Sequence, residues 1–280
     1  MNNPIALAAH GGSLPKAYEK AVEICKQAGF AGVEPSDQFF NLGSEREVSA
    51  IRELFQSAGL QFYTYHLPFT ADDNIASFYE TYRRKAVDRL KESMVRAAAA
   101  GARVVIQHPG VCVLDTEVEG IDNYLRALGR SLEALIPHAE SLGLVIALEN
   151  MQPRGGKRFG SQPEHFTLML KHFGHPHLGF CLDTGHGLLA MHDRLEVLIE
   201  AMKPGLRAFH LTDNGGYNDA HLAPGRGLVD WPLVGRVIRE IGFDGVACVE
   251  SPPFAYGPDF SPGAWCQLRA DTERLLQAGA

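Results

Sequence analysis

The feature that most constrains this chain is a beat struck eight times: a short apolar run, then a longer amphipathic stretch rich in Ala, Leu, Glu, Lys and Arg. The runs fall at 5–9, 31–34, 61–66, 104–108, 145–149, 178–183, 208–212 and 246–250, and the amphipathic stretches at 16–27, 45–58, 76–100, 120–142, 164–173, 194–202, 232–241 and 264–277. Short runs that are apolar throughout read as strands covered on both faces, as helical crossovers would cover them. Gly follows five of the helical stretches (Ala28-Gly29, Ala58-Gly59, Ala100-Gly101, Leu142-Gly143, Ile241-Gly242), where the backbone takes a left-handed turn toward the next strand. Eight β/α units in 280 residues predict one (β/α)8 TIM barrel spanning 1–280. A doubly wound sheet is the alternative, and eight full repeats are generous for one. No low-complexity linker or charge block interrupts the series.

Each run has an ionisable side chain at or near its end: His10 just past the first run, Glu34, His66, His108, Glu149 and Asp183 at the last position, His210 two residues before the last, and Glu250 at the last. In a barrel all eight strand ends open on one face, and the chemistry of such folds sits there. A carboxylate ending a buried strand is costly unless it is paired, hydrogen-bonded or bound to a cation. His10 alone reads as a structural histidine, and Glu34 reads equally as a substrate ligand or a rim ion pair. His138, His165, His172, His175, His177 and His192 fall on helices or outer loops and read as mostly solvated. Glu149, Asp183, His210 and Glu250 come from four consecutive strands, and together they form an O3N set. That set suits Mn, Zn, Co or Fe(II) better than an all-oxygen Mg or Ca cage.

Charge and cysteines narrow the setting. With 33 acidic against 26 Lys plus Arg, the net charge is −7, which disfavours a nucleic-acid or anionic-membrane surface. Five cysteines without a C-x-x-C pair do not form a disulfide framework. Cys181 and Cys248 lie in apolar runs and are expected to pack as small hydrophobes, and Cys112, in a loop near the candidate site, reads as an ordinary loop thiol, with a reactive thiol as the alternative. The first apolar run is too short for a signal peptide and no run reaches membrane-spanning length, so a cytoplasmic protein is expected. Gly185-His186-Gly187-Leu188-Leu189-Ala190 fits the dinucleotide fingerprint by spelling. It opens the sixth unit instead of the first, and the next strand ends in His210 instead of an acid, so it is a coincidence.

The motifs in order are Gly32-Val33-Glu34, His66-Leu67-Pro68, His108-Pro109-Gly110, Leu148-Glu149-Asn150, Cys181-Leu182-Asp183-Thr184-Gly185-His186-Gly187, His210-Leu211-Thr212-Asp213-Asn214, Asp219-Ala220-His221, Pro224-Gly225-Arg226-Gly227 and Glu250-Ser251. With them the whole chain resembles the xylose-isomerase-like TIM-barrel superfamily. That group holds sugar and sugar-phosphate isomerases and epimerases, inosose dehydratases and the endonuclease IV type of apurinic endonuclease. On the epimerase side, the resemblance implies one divalent ion on Glu149, Asp183, His210 and Glu250. There the two glutamates pass a proton and His186 contacts substrate oxygens. On the endonuclease side it implies three zincs, with His66, His108, His186, Asp219 and His221 as additional ligands. All nine residue types are present, so the ligand list does not choose between one and three ions. The acidic balance and the Gly-Val-Glu ending of the second strand favour the isomerase side. Arg226, where many isomerase relatives carry Glu, and Gly215-Gly216, where keto-sugar epimerases carry Arg, argue against a ketohexose epimerase specificity.

The function expected is proton transfer next to a carbonyl of a sugar, sugar phosphate or polyol, with Glu149 and Glu250 as the two proton-handling groups and His186 on a substrate oxygen. Glu34, His66 and His108 are expected to face the substrate. Arg154, Lys157, Arg158 and Arg226 either grip a substrate anion or are solvated loop charges. A zinc phosphodiesterase of endonuclease IV type and a keto-polyol dehydratase are the alternatives. The resemblance also allows a dimer or tetramer built through outer helices.

Overall fold

A computed structural model of the chain describes residues 4–9, 14, 17–111, 115–257 and 261–278. His10 and Cys112 lie outside the described residues. Eight strands run parallel: β1 (Ile5–Ala8), β2 (Gly32–Glu34), β3 (Thr64–His66), β4 (Val104–Gln107), β5 (Val145–Glu149), β6 (Leu178–Asp183), β7 (Leu206–Leu211) and β8 (Ala247–Val249). Their order is β2-β1-β8-β7-β6-β5-β4-β3, so sequential neighbours pair all the way round. Between β2 and β3 the ladder is reduced to two isolated parallel bridges, Gly32 with Gln61 and Ser36 with His66. Val33 N donates to Gln61 O at 3.0 Å and His66 N to Pro35 O at 2.9 Å, which brings the barrel nearly to closure. Glycine is required at position 32, because a Cβ there would lie 1.8 Å from the Gln61 carbonyl oxygen.

Among the described residues, ten helices surround the strands: α1 (Tyr18–Ala28), α2 (Glu45–Ser57), α3 (Glu80–Ala99), α4 (Thr116–Glu119), α5 (Ile121–Ser141), α6 (Pro163–Phe173), α7 (Thr184–Met191), α8 (Leu195–Met202), α9 (Trp231–Glu240) and α10 (Pro262–Gln277). Local chemistry sets their ends. Ser44 and Glu47 close a reciprocal capping box at the start of α2. Gly29, at φ 78°, ends α1 in the left-handed conformation that the Ala-Gly signal predicts. Two helices fall outside the eight stretches of the sequence pattern. α4 is a single turn, and α7 is buried along nearly its whole length, so it shows no polar face and no helical periodicity. β7 starts two residues before the expected run because Arg207, exposed between buried neighbours, interrupts the apolar pattern.

The main core fills the layer between strands and helices, with Tyr65, Phe55, Phe166, Phe180 and Trp265 fully buried there. A smaller cluster of Val104, Ile106, Ala147, Cys181 and Ala208 fills the barrel itself. Cys181 and Cys248 are buried free thiols, as the apolar runs implied, and burial pushes Cys181 up to about 12. No helix among the described residues is long and apolar enough to cross a membrane.

Candidate metal centre

Parallel register delivers the strand ends to one level. Asp183 on β6 pairs in register with His210 on β7, and Glu149 on β5 pairs with Cys181, two residues before Asp183. Glu250 follows β8, held by a bond from its backbone N to Leu211 O at 3.3 Å. Glu149, Asp183, His210 and Glu250 each offer one ligand atom to a group whose members all lie within 4.8 Å of one another. His210 Nδ1 stands 3.0 Å from Glu250 Oε2 and 3.4 Å from Glu149 Oε1. Its other nitrogen, Nε2, meets Glu34 at 3.1 Å. Glu34 is therefore not a rim residue: it is fully buried behind His210, where it orients the ring.

The remaining histidines collect around the same carboxylate. His66 Nε2 and His108 Nε2 approach Glu149 Oε2 at 3.5 and 3.3 Å, and His186 Nδ1 approaches Glu149 Oε1 at 3.3 Å. His186 Nε2 pairs with Asp219 at 3.1 Å, and Asp219 meets His221 Nε2 at 3.4 Å, so His186, Asp219 and His221 form a further group with ligand spacing. His221 is held in a strained left-handed backbone (φ 44°) with its Nδ1 2.9 Å from Glu250 O. All nine residues singled out as metal ligands by the resemblance thus stand in one continuous constellation at the mouth.

Its electrostatics are those of an anionic cage balanced by protons. Burial disfavours the Glu149 carboxylate, yet the His210 and His108 imidazoles beside it hold it well below the usual range. Asp183 is pushed up to about 6 by burial, with Glu149 and Glu250 adding to the shift and His186 opposing it. Burial pulls His186 and His210 down, but their acidic surroundings raise both well above the ordinary imidazole value: Asp183 and Asp219 around His186, Cys181, Glu34 and Glu250 around His210. His221 is lifted to about 10 by Asp219 against its burial. Protonated imidazoles here occupy the role a cation takes when ligands deprotonate to receive it. Glu149 Oε2, Asp183 Oδ2 and His210 Nδ1 are buried without a well-aligned hydrogen bond, a state that a bound cation relieves.

The supporting residues come from the same motifs. Asn150 clamps β5 to β6 by donating to Asp183 O (2.9 Å) and accepting from Asp183 N (2.7 Å). Asp183 Oδ1 caps α7 by accepting from His186 N at 2.6 Å, and it also accepts from Thr212 Oγ1 at 3.1 Å. Buried Asp213 accepts from Asn214 N, Gly225 N, Val229 N and Trp231 Nε1, at 2.9, 2.9, 3.1 and 3.0 Å. That tie holds the β7–α9 loop, which carries Asp219 and His221. As single polar letters in a loop, Asn150 and Asp213 gave no sign of these tasks. Among the loop cations, Lys157 pairs with Glu117, Arg158 is buried with Nη2 3.5 Å from Gly110 O, Arg226 lies over the Tyr256 ring at 4.7 Å, and Arg154 is exposed at a turn. Of the outer histidines, His165 is buried and not solvated: its Nδ1 accepts from Gly160 N (3.1 Å) and Gln162 N (3.3 Å). Phe69 was not anticipated; its ring lies 4.7 Å from those of both His66 and His108.

Known proteins resemble the chain in sequence and in fold. An uncharacterized protein of Methanocaldococcus jannaschii is 27% identical over 239 residues, covering 85% of this chain and 80% of its own length. A protein of Solibacter usitatus named as a probable endonuclease 4 is 29% identical over 212 residues, covering 68% of each chain. The crystal structure of a D-tagatose 3-epimerase-like protein superposes with a TM-score of 0.81 at 24% identity, covering 99% of this chain and 98% of the other. The family model for the xylose isomerase-like TIM barrel matches residues 22–265, nearly the whole barrel, and the chain belongs to that family.

Proposed function

We propose that this protein is a divalent-metal-dependent isomerase or epimerase that relocates a proton on a carbon next to the carbonyl of a sugar or polyol. The observation that carries the reading is the gathering of Glu149 and Glu250 with Asp183 and His210 in one group whose ligand atoms all lie within 4.8 Å. Those four residues would hold the ion, and their oxygen-rich set with one nitrogen fits Zn, Mn or Co. The ion would supply Lewis-acid polarisation of the substrate carbonyl.

The proton chemistry belongs to the chain. Glu149 ends β5 and Glu250 follows β8, with β6 and β7 between them in the ring. Their carboxylates therefore come to a bound sugar from separate parts of the mouth. One removes the proton α to the carbonyl and the other returns it, from the same or the opposite face. His186, 3.3 Å from Glu149, steadies that carboxylate and is assigned a neighbouring substrate oxygen in exchange for Asp219. Buried Glu34 keeps His210 in one orientation. The D-tagatose 3-epimerase-like structure that superposes on the chain supports this reading.

The test is a screen of ketoses, aldoses and keto-polyols with the metal-supplemented protein, following exchange of the α-hydrogen with solvent deuterium. Glu149→Gln and Glu250→Gln should each slow exchange by ~10²–10⁴-fold, the usual worth of a positioned acid or base. Exchange untouched by both substitutions refutes the assignment. Loss of water to an enone-type product would redirect it to a dehydratase on the same centre.

A phosphodiesterase is the second reading, favoured by two observations: His66 and His108 crowd Glu149 Oε2, and His186, Asp219 and His221 form a metal-competent group of their own. Three zinc ions per chain by elemental analysis, with cleavage of abasic DNA, would establish it in place of the first.

A further inference from the structure

A cavity opens at the end of the barrel opposite the metal centre. It measures about 650 Å³, a size that holds small-molecule ligands. Its walls come from the starts of β4, β5 and β7 and from the connections that enter β3, β4, β5 and β8. A barrel keeps its catalytic groups at the other strand ends, so the proton chemistry above makes no use of this space. Tyr63 stands between it and the small cluster that fills the barrel, lining the one and packing against the other.

The charge here runs against that of the whole chain. Three cations, Arg103, Lys203 and Arg207, and one carboxylate, Asp244, line the cavity of a protein whose net charge is −7. Lys203 is taken up by Glu200 at 3.1 Å and Glu240 at 2.7 Å. Arg103 and Arg207 are exposed, and neither guanidinium has an ion-pair partner among the described residues. Arg207 Nη1 donates to the Leu206 carbonyl at 2.9 Å, which uses one of its donors. Burial raises the Tyr63 hydroxyl above its usual value, with Asp244 adding to the shift and Arg103 opposing it, so both charges stand near that hydroxyl.

The backbone aims Arg207 into this space. β7 takes two steps, from Leu206 to Ala208, where β6 takes one, from Phe180 to Cys181, so Arg207 is the extra residue of a bulge. Bulges re-aim the side chain they free and gather near functional sites. The stem of Arg207 crosses β6 at Gly179, where a Cβ would lie 2.4 Å from Arg207 Cγ. An irregular strand and a bare glycine opposite it together make room for one arginine.

We propose that this cavity binds a small organic molecule carrying two or more oxyanion groups, phosphate or carboxylate, held by Arg103 and Arg207. A guanidinium fork meets either oxyanion with paired N–H bonds. The cavity is larger than a bare phosphate ion, and the Tyr63 and Phe243 rings in its lining offer apolar surface to an organic body. The site faces away from the metal centre, so its ligand binds alongside the substrate instead of in its place. It does not depend on the isomerase reading.

The experiment is calorimetric titration of the manganese-supplemented protein with bisphosphoglycerate, with tricarballylate, and with glycerol as the uncharged control. At least one of the two anions should bind one-to-one, and the tighter of them tells phosphate from carboxylate. Arg103→Gln and Arg207→Gln should each weaken it by about tenfold or more, the worth of a charge-assisted bond. Arg46→Gln removes the same charge from an exposed position on α2 outside the cavity and should leave the affinity as it is. Asp183→Asn, at the opposite mouth, should leave it too. Should Arg207→Gln fail to fold, Arg103→Gln carries the test, because Arg103 stands exposed ahead of β4. Binding of neither anion, affinity kept in both cavity variants, an equal loss in Arg46→Gln, or a loss confined to Asp183→Asn would overturn the proposal.

Discussion

Asp213→Asn is the substitution whose cost can be worked most directly from the structure. The Asp213 carboxylate takes two donors on each oxygen: Asn214 N and Val229 N on Oδ1, Gly225 N and Trp231 Nε1 on Oδ2. An asparagine keeps one oxygen and turns an NH2 toward the other pair. Two buried donors then lose their acceptor, and each unmade bond costs about 1–3 kcal/mol. The expected cost is about 4 kcal/mol, borne by the β7–α9 loop that the carboxylate ties together. At about 1.4 kcal/mol per factor of ten, the Gly225 and Val229 amides should exchange with solvent roughly a thousandfold faster than in the parent. Strands β5 and β6 should keep their protection. Native-state hydrogen exchange resolved by residue is the assay, and Trp231 fluorescence gives a second report on the same bond. Less than a tenfold change at those amides would refute the idea that this carboxylate holds the loop.

Burial pushes buried His165 down from the usual 6.5 to about 4, helped by Lys157, while its Nδ1 accepts two backbone N–H bonds that require the neutral ring. The unfolded chain therefore binds the proton first. The contribution is complete above pH 6.5 and is lost as pH falls toward 4, for a total of about 3 kcal/mol. Unfolding measured at pH 7 and pH 4.5 should show a smaller pH-dependent loss in His165→Gln than in the parent, and identical losses would dispose of this account. Zn, Mn or Co should raise the thermal midpoint and a chelator should reverse the gain, since a ligand at a hundred times its Kd adds about 2.7 kcal/mol. Asp183→Asn should abolish that response; an undiminished metal-induced shift would move the binding site elsewhere.

The sequence by itself determined the barrel and the ring of groups at its mouth. Eight apolar runs with Gly-terminated helices between them admit few other folds, and a strand's last residue is a position that pattern alone locates. Glu149, Asp183 and Glu250 were legible because each ends an apolar run, and His210 because it interrupts one close to its end. What only the tertiary structure decided is which groups meet. Glu34 and His210 are 176 positions apart, and their 3.2 Å contact exists because β2 and β7 both deliver their ends to the closed mouth. The α7 helix was illegible because burial on all sides erases the periodicity by which helices are read. Glycine letters can mark turns, but the need for Gly32 came from the Gln61 carbonyl in the segment leading into β3. The roles of Asp213, His165 and Phe69 were hidden for one reason. A lone polar or aromatic letter in a connection carries no period, and its task is set by partners that only the folded chain brings beside it.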